Sequence, residues 1–458
     1  MRKLLIVGMF FSLFFSSCKE HSKLKPNIVL ILVDDLGIPQ LGCYGSSFYK
    51  TPNIDKLAQE GAKFTQAYSA ASVCSPTRAA LLTGKYPARL HITDFIAGNN
   101  DSNYPLLEPN WQKFLPIEET TIAEVLKGSG YETALFGKWH LSKQKTPPVS
   151  LEHNPDKQGF DETFVTYKPE NNLPLGAWQT AEKDAHSVDT LTSIAINFIK
   201  RNKDSPFFLV VSHNSIHDPL MEKETSINRF NNLYNSNEPE NNPVWGAMVE
   251  RIDKNLGRLQ RTIADLNLEE KTIVIFYSDN GAKDKYAKQT PFRKGKGWLY
   301  EGGIRVPLLI KWKGEIEEGI LCDTPIITMD FFSTLLDATS SQWNDVTDGI
   351  NIFSALKNKQ NHFKRNLYWN YPHYHKGSGM KPACAIRSGD YKLIKWYEPY
   401  LLGQDSIYEL FNLKNDIGES YNLAYELPQK VKELDQLLEE WKEGVNAQEP
   451  TKNLHYIE

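Results

Sequence analysis

A chain of 458 residues and 52.3 kDa, with 40% apolar, 12% aromatic and 24% charged residues, carries enough material for a folded core, which excludes a disordered chain and a short peptide module. Its formal net charge of -4 excludes a nucleic-acid binder that relies on a broad basic field, while leaving room for a local positive pocket.

The chain opens on the basic Met1-Arg2-Lys3, followed by an apolar run from Leu4 to Phe15 and the small residues Ser16-Ser17 ahead of Cys18. That order reads as an export signal over 1–18. The run falls short of the roughly 20 apolar residues that a spanning helix needs. It resembles a bacterial lipoprotein cleavage site, with Phe15 an unusual occupant of the outer position, and so implies lipid attachment at Cys18 and a tether over 19–25. Ordinary secretion with a neighbouring cleavage is the alternative. Cys43, Cys74, Cys322 and Cys384 then remain, and without a CxxC pair or a dense framework they predict no disulfide.

Asn27 to Val33 is nearly continuously apolar, which predicts a strand buried on both faces, and Asp34-Asp35 follow it. A short helix is expected from Thr51 to Gly61, with Thr51 or Asn53 as its cap and Pro52 in its first turn. Phe64 to Tyr68 reads as an edge strand or a short buried one. Thr77 to Thr83 reads as a helix ended by Gly84, with Pro76 in its first turn. Cys74 would then lie at the amino end of that helix, where unpaired N–H groups favour an anion.

Helices are expected at Glu119 to Gly130, Asp184 to Lys200 and Val244 to Leu266, and strands at Tyr131 to Phe136, Pro206 to Val211 and Lys271 to Tyr277. Val306 to Trp312 is a further strand, which Pro307 assigns to a sheet edge or a strand start. The polar passage Lys357 to Lys364 marks a boundary. Beyond it come short strands at Leu367 to Trp369, Ala385 to Arg387, Tyr391 to Trp396 and Tyr408 to Phe411, then an amphipathic helix from Glu426 to Val445. The expected organisation is an α/β catalytic domain over 26–355, with a large mixed, mostly parallel sheet between helices. A smaller α+β subdomain with a short antiparallel sheet follows over 365–458.

Ligands of such sheets gather at the carboxyl ends of strands, and the chemically useful residues recur there. Asp34 and Asp35 follow the first strand, and Asp279 and Asn280 follow Ile273 to Ser278. Lys138 and His140 follow Thr133 to Phe136, and His213 and His217 lie just beyond Val211. Either acidic pair alone reads as an Asx turn or a helix cap. Both at the ends of buried strands point to an oxygen-only site for a hard divalent ion, Ca²⁺ or Mg²⁺. The chain has no HExxH segment, the usual zinc-hydrolase signal.

Cys74-Ser75-Pro76-Thr77-Arg78, continued by Leu81-Leu82-Thr83-Gly84, resembles the maturation motif of the type I sulfatases in the alkaline-phosphatase-like superfamily, and the resemblance runs from Pro26 through the terminal region. It implies that a sulfatase-maturing enzyme oxidises Cys74 to formylglycine before folding, and that the hydrated aldehyde is the nucleophile. It also implies one Ca²⁺ per chain, ahead of Mg²⁺, on Asp34, Asp35, Asp279, Asn280 and the modified Cys74. Arg78 would stabilise the aldehyde hydrate. Gly137-Lys138-Trp139-His140 places Lys138 near sulfate and His140 near the nucleophile, while Gly295-Lys296-Gly297 gives Lys296 to sulfate. His217-Asp218-Pro219 makes His217 the general acid, leaving His213 as a pocket candidate. Taken singly, such lysines are ordinary surface or structural residues and such histidines ordinary scaffolding; the joint occurrence carries the reading.

The order of segments resembles bacterial carbohydrate sulfatases. The implied activity is release of inorganic sulfate from a sulfated mono- or oligosaccharide in a Gram-negative cell envelope, in the periplasm or on an outer-membrane lipoprotein. Exo action on galactose or N-acetylgalactosamine sulfate is expected, with O4 ahead of O6. Tyr368 to His375 offers aromatic faces for sugars, although such a cluster also serves as domain packing. Asp94, Asn99, His373 and His375 join His213 as substrate-binding candidates. The competing functions are a metal-dependent phosphatase or phosphonate-monoester hydrolase, and a nonenzymatic sulfated-glycan-binding protein. No basic tail recommends a nucleic-acid partner.

Overall fold

β1 (Asn27–Val33) is buried along its whole length, and its side chains alternate between two apolar layers, Ile28, Leu30 and Leu32 in one and Val29, Ile31 and Val33 in the other. The computed structural model describes residues 25–98, 103–143, 151–166, 181–233, 241–357 and 365–456. Cys18, the signal and tether before residue 25, Asn99 and most of the polar boundary passage lie outside the described residues.

In chain order there follow β2 (Ala62–Phe64), β3 (Ala67–Tyr68), β4 (Leu106–Leu107), β5 (Glu132–Gly137), β6 (Glu162–Val165), β7 (Phe207–Ser212), β8 (Thr272–Ser278), β9 (Leu308–Lys311), β10 (Ile320–Cys322) and β11 (Ile326–Ile327). Eight of these strands form one sheet in the order β10-β2-β9-β8-β1-β7-β5-β6. Only β9 runs against its neighbours, so the sheet is mixed and mostly parallel, as expected. The helices Val188–Arg201 and Pro243–Asp265 cover one face, and Ile122–Gly128 and Asp330–Thr339 the other.

Of the two places open to Pro307 the strand start holds: the proline stands just before the first ladder residue of β9, which lies between β2 and β8, so its missing N–H costs no ladder bond. One local expectation changes. Phe64 to Tyr68 is divided, with Phe64 ending β2 and β3 pairing with β11 in a separate two-stranded sheet.

Helix ends follow local chemistry where it is available. Thr121 and Glu124 form a reciprocal capping box, and Gly84 closes Cys74–Thr83 at φ +69°. At the helix Pro52–Gln59 the cap comes from afar. Thr51 spends its hydroxyl on Asp55, while Asp253 Oδ1 accepts the Asn53 and Ile54 N–H groups at 2.8 Å each.

After this body, β12 (Asn366–Tyr371), β13 (Ala383–Ser388), β14 (Tyr391–Trp396) and β15 (Tyr408–Asn412) form the smaller antiparallel sheet. The helix Pro428–Gly444 packs on it through Val431, Leu434 and Leu438. β16 (Thr451–Lys452) returns to pair with β4. Among the described residues, no helix is long and apolar enough to cross a membrane.

Candidate active site

Four central strands end in register. Val33 of β1 pairs with Ser278 of β8, Leu32 with Ser212 of β7, and Ser212 in turn with Gly137 of β5. The residues that follow continue the ladders for one more bond, Asp279 N–H to the Val33 carbonyl and Lys138 N–H to that of Ser212. Gly137 has φ +118°, and a Cβ there would fall 1.8 Å from the Ser212 carbonyl oxygen, so glycine alone allows this approach. The in-register ends deliver Asp34, Asp35, Lys138, Asp279 and Asn280 to one crevice.

Cys74 begins the helix Cys74–Thr83, all of whose residues are buried. Val73 at its cap position supplies no side-chain acceptor, which leaves the first-turn N–H groups without a side-chain cap. Cys74 Sγ lies 3.1 Å from His140 Nδ1. The other ring nitrogen, Nε2, is 2.5 Å from the Ile96 carbonyl oxygen and must donate to it, so Nδ1 presents its lone pair to Cys74. Burial, reinforced by Lys138 and Arg78, holds the His140 pKa well below its usual value and keeps the ring neutral.

The charges interlock. Arg78 donates through Nε and Nη2 to Asp279 Oδ2 at 3.0 and 2.6 Å, and through Nη1 to the Lys138 carbonyl and Ser212 Oγ. Lys138 Nζ is 2.5 Å from Asp34 Oδ2, and Lys296 Nζ is 2.5 Å from Asp35 Oδ1. Burial pushes Asp34 and Asp35 up, but Lys138 at the first and Lys296 at the second, with His217 beside both, outweigh it and hold them low. Asp279 goes the other way. Burial and then the Asp34 carboxylate push it up to about 8 despite Arg78.

The donor set fits a hard cation. Asp34, Asp35 and Asp279 each offer an oxygen within 4.8 Å of the others. Asp34 Oδ1, Asp35 Oδ2 and Asn280 Oδ1 are buried without a hydrogen-bond partner. Three orphaned oxygens beside a carboxylate driven toward protonation leave lone pairs without partners, which coordination to a divalent ion would satisfy.

His217 Nε2 stands 4.0 Å from Asp35 Oδ2, and its Nδ1 donates to the Asp218 carbonyl at 3.0 Å. Burial, then Lys296, lowers its pKa to about 3. The Asp218 carboxylate pairs with Lys283 next to it. His213 directly follows β7, its N–H donating to the Leu32 carbonyl at 2.8 Å, and its ring Nδ1 is buried without a hydrogen-bond partner. His375 abuts the Lys296 turn, because a Cβ on Gly297 would lie 2.5 Å from its Nδ1. Asp94 and His373 are both enclosed. Asp94 Oδ1 accepts from Tyr371 at 2.7 Å while its Oδ2 has no partner, and His373 is held between Thr93 and Glu108. Sequence reading missed Ser212, the Ile96 carbonyl and Lys283. A strand-end serine and a backbone oxygen carry no pattern; Asp218, adjacent to His217, was the one available pointer to the Lys283 pair.

A protein-family model described as Sulfatase matches residues 26–341, and one described as N-sulphoglucosamine sulphohydrolase, C-terminal, matches 293–447. A sulfatase of Formosa agariphila is 30% identical over 93% of this chain and 90% of the relative. The N-acetylgalactosamine-6-sulfatase of Sus scrofa is 32% identical over 72% of this chain and 66% of the relative. Among solved structures, that of Ps i-CgsB in complex with k-i-k-neocarrahexaose is similar with a TM-score of 0.75 at 29% identity, covering 91% of this chain and 92% of that one. The chain therefore belongs to the type I, formylglycine-dependent sulfatase family of the alkaline-phosphatase-like superfamily, and is a hydrolase of sulfuric esters.

Proposed function

We propose that this enzyme removes a sulfate ester from galactose or N-acetylgalactosamine in a glycan, acting from the non-reducing end. The observation that carries the chemistry is the group of orphaned oxygens on Asp34, Asp35 and Asn280, set beside Cys74 and flanked by Lys138 and Lys296. Ca²⁺ held by Asp34, Asp35, Asp279, Asn280 and the modified Cys74 would act as a Lewis acid on a sulfate oxygen. Formylglycine at Cys74, once hydrated, would supply one hydroxyl to attack sulfur and a second to expel sulfate afterwards.

The chain's own side chains do the rest. Lys138 and Lys296 bind the anionic sulfate, and their near-complete burial strengthens that attraction. Arg78 fixes the Asp279 carboxyl in place through its two hydrogen bonds to Oδ2. His140 receives a proton at Nδ1, since Nε2 is committed to Ile96. His217 Nε2 protonates the departing sugar oxygen. An anion beside Lys296 offsets the lysine that depresses His217, and so favours its charged form. His375 is the specificity residue best placed by its contact with the Lys296 turn, whereas Asp94 and His373 support the loop behind it.

The sequence reading placed O4 ahead of O6. The name of the Sus scrofa relative, an N-acetylgalactosamine-6-sulfatase, favours O6 as the second reading. The order of segments also supports a catalytic domain over 26–355, a subdomain over 365–458 and an envelope lipoprotein anchored at Cys18. Family membership sets aside the nonenzymatic reading.

The test joins mass spectrometry of the Cys74 peptide from the native host with sulfate release from defined O4- and O6-sulfated galactosides, and with a phosphate monoester as the rival substrate. Formylglycine at Cys74 and release from a galactoside are expected; faster phosphate release, or an unmodified Cys74 in active enzyme, would sink the proposal. His217→Ala should lower turnover of sugar sulfates by roughly 100-fold or more and spare an activated aryl sulfate, whose leaving group needs no proton.

A further inference from the structure

The turn that carries Lys296 is gripped from two sides. On the side of the large sheet, Lys296 N–H donates to the Ala282 carbonyl at 2.9 Å, Gly297 N–H to that of Ser72 at 2.8 Å, and Gly281 N–H to that of Gly303 at 3.0 Å. On the other side Glu419 reaches in from the segment after β15. Its Oε2 accepts the Glu301 N–H at 2.7 Å, and its own carbonyl accepts from Arg293 Nη1 at 2.9 Å.

Between them stands Lys392 of β14, 2.8 Å from Glu419 Oε1 and 3.1 Å from Glu301 Oε1. All three side chains are 0% exposed. One ammonium therefore serves two buried carboxylates from opposite sides of the junction, while Tyr68 and Arg305 occupy Glu301 Oε2. Burial pushes Glu419 up to about 7 against the pull of Lys392, whereas Lys392 and then Arg305 overcome burial at Glu301 and hold it at about 2.

The segment in the grip has little slack. Gly302 N–H donates to the Arg293 carbonyl at 3.0 Å, and a Cβ on Gly302 would lie 2.1 Å from the Lys294 carbonyl oxygen. Residues 293 to 303 are thus closed on themselves, and a shift at Glu301 or Arg293 is passed to Lys296.

Building on the sulfatase reading above, we propose that Glu419 is a positioning residue for Lys296. It fixes Glu301 through the backbone N–H and, by way of Lys392, through the side chain, and fixes Arg293 through its own carbonyl. Together these hold the turn that aims Lys296 Nζ at Asp35.

The test uses the full-length, matured enzyme. The measurements are kcat and KM on an aryl sulfate, inhibition by inorganic sulfate, and thermal midpoints for Glu419→Ala, Glu419→Gln, Lys296→Ala and the doubles. Glu419→Ala should raise KM and weaken sulfate inhibition by about tenfold or more, the scale of a charge-assisted hydrogen bond. Glu419→Gln, which keeps an acceptor for the Glu301 N–H, should do less. Because Glu419 acts through Lys296, the double variant should fall within about twofold of Lys296→Ala. A lowered midpoint with unchanged sulfate inhibition, or effects that multiply in the double, would overturn the proposal. Should Glu419→Ala fail to fold, the cycle on Glu419→Gln decides by the same criteria. Wild-type enzyme with verified formylglycine that releases no sulfate from any ester would overturn the sulfatase reading instead, while sulfate binding by calorimetry would still report on Glu419.

Discussion

The cluster around Asp34, Asp35 and Asp279 and the cluster around Glu301 and Glu419 use the same chemistry, buried carboxylates facing buried cations, yet they leave different remainders. In the first, Arg78, Lys138 and Lys296 each take one carboxylate oxygen, and oxygens of Asp34, Asp35 and Asn280 stay without a partner. In the second, Lys392 and the Tyr68–Arg305 pair take both oxygens of Glu301, the Glu301 N–H meets Glu419 Oε2, and Glu419 Oε1 has no hydrogen bond but faces the Lys392 ammonium at 2.8 Å. Buried ion pairs contribute little net stability, so neither cluster is explained by stability alone. Several bare oxygens gathered at one place are what separate a binding site from a joint, where the single bare oxygen of Glu419 faces an ammonium, because leaving them bare costs free energy that a ligand recovers.

Substitutions that strike one cluster and spare the other test this contrast. Asp279→Ala should lower turnover about a thousandfold or more across all substrates, measured as sulfate release, because it removes a cation ligand and strands Arg78. Lys392→Met strands two carboxylates in the joint. It should lower stability by about 3–5 kcal/mol in a denaturant titration, and a midpoint equal to the wild type would break the comparison. Adding Ca²⁺ to chelator-treated protein should raise stability by about 2.7 kcal/mol at a hundredfold excess over Kd. Thermal scans should show that rise in the wild type and in Lys392→Met but not in Asp279→Ala.

Asp253, a lone buried carboxylate with neutral partners, gives the smallest effect. Burial raises its folded pKa from 3.8 to about 6, against the hydrogen bonds from Asn53 and Ile54. The folded state therefore binds more protons than the unfolded one between those values, and this group's contribution to stability falls as pH rises through the window. Asp253→Asn should flatten the melting temperature between pH 4 and 6, a change of about 2–4 °C. An unaltered profile would assign the pH dependence elsewhere.

The amino-acid sequence by itself determined the elements whose information is local. Asn27 to Val33 announced a doubly buried strand because every side chain is apolar, Gly84 announced a helix end because it accepts a positive φ, and the Cys74 motif named its family because its residues are contiguous. The recurrence of acidic and basic residues just after apolar runs also made most of the crevice legible, since strands aligned in parallel must bring their ends together.

Only the tertiary structure decided what depends on partners distant in the chain. It chose the strand start over the sheet edge for Pro307, and it gave the cap of the helix Pro52–Gln59 to Asp253 in place of Thr51 or Asn53. It set His217 Nε2 4.0 Å from Asp35 Oδ2 and left His213 Nδ1 buried without a hydrogen-bond partner, a distinction that four residues of spacing after a strand do not encode. It enclosed Asp94 and His373 and joined Glu419 to Glu301 through Lys392. Local patterns fix backbone conformation and which face is apolar, whereas the partner of a buried charge is set by chain crossings that no short segment contains.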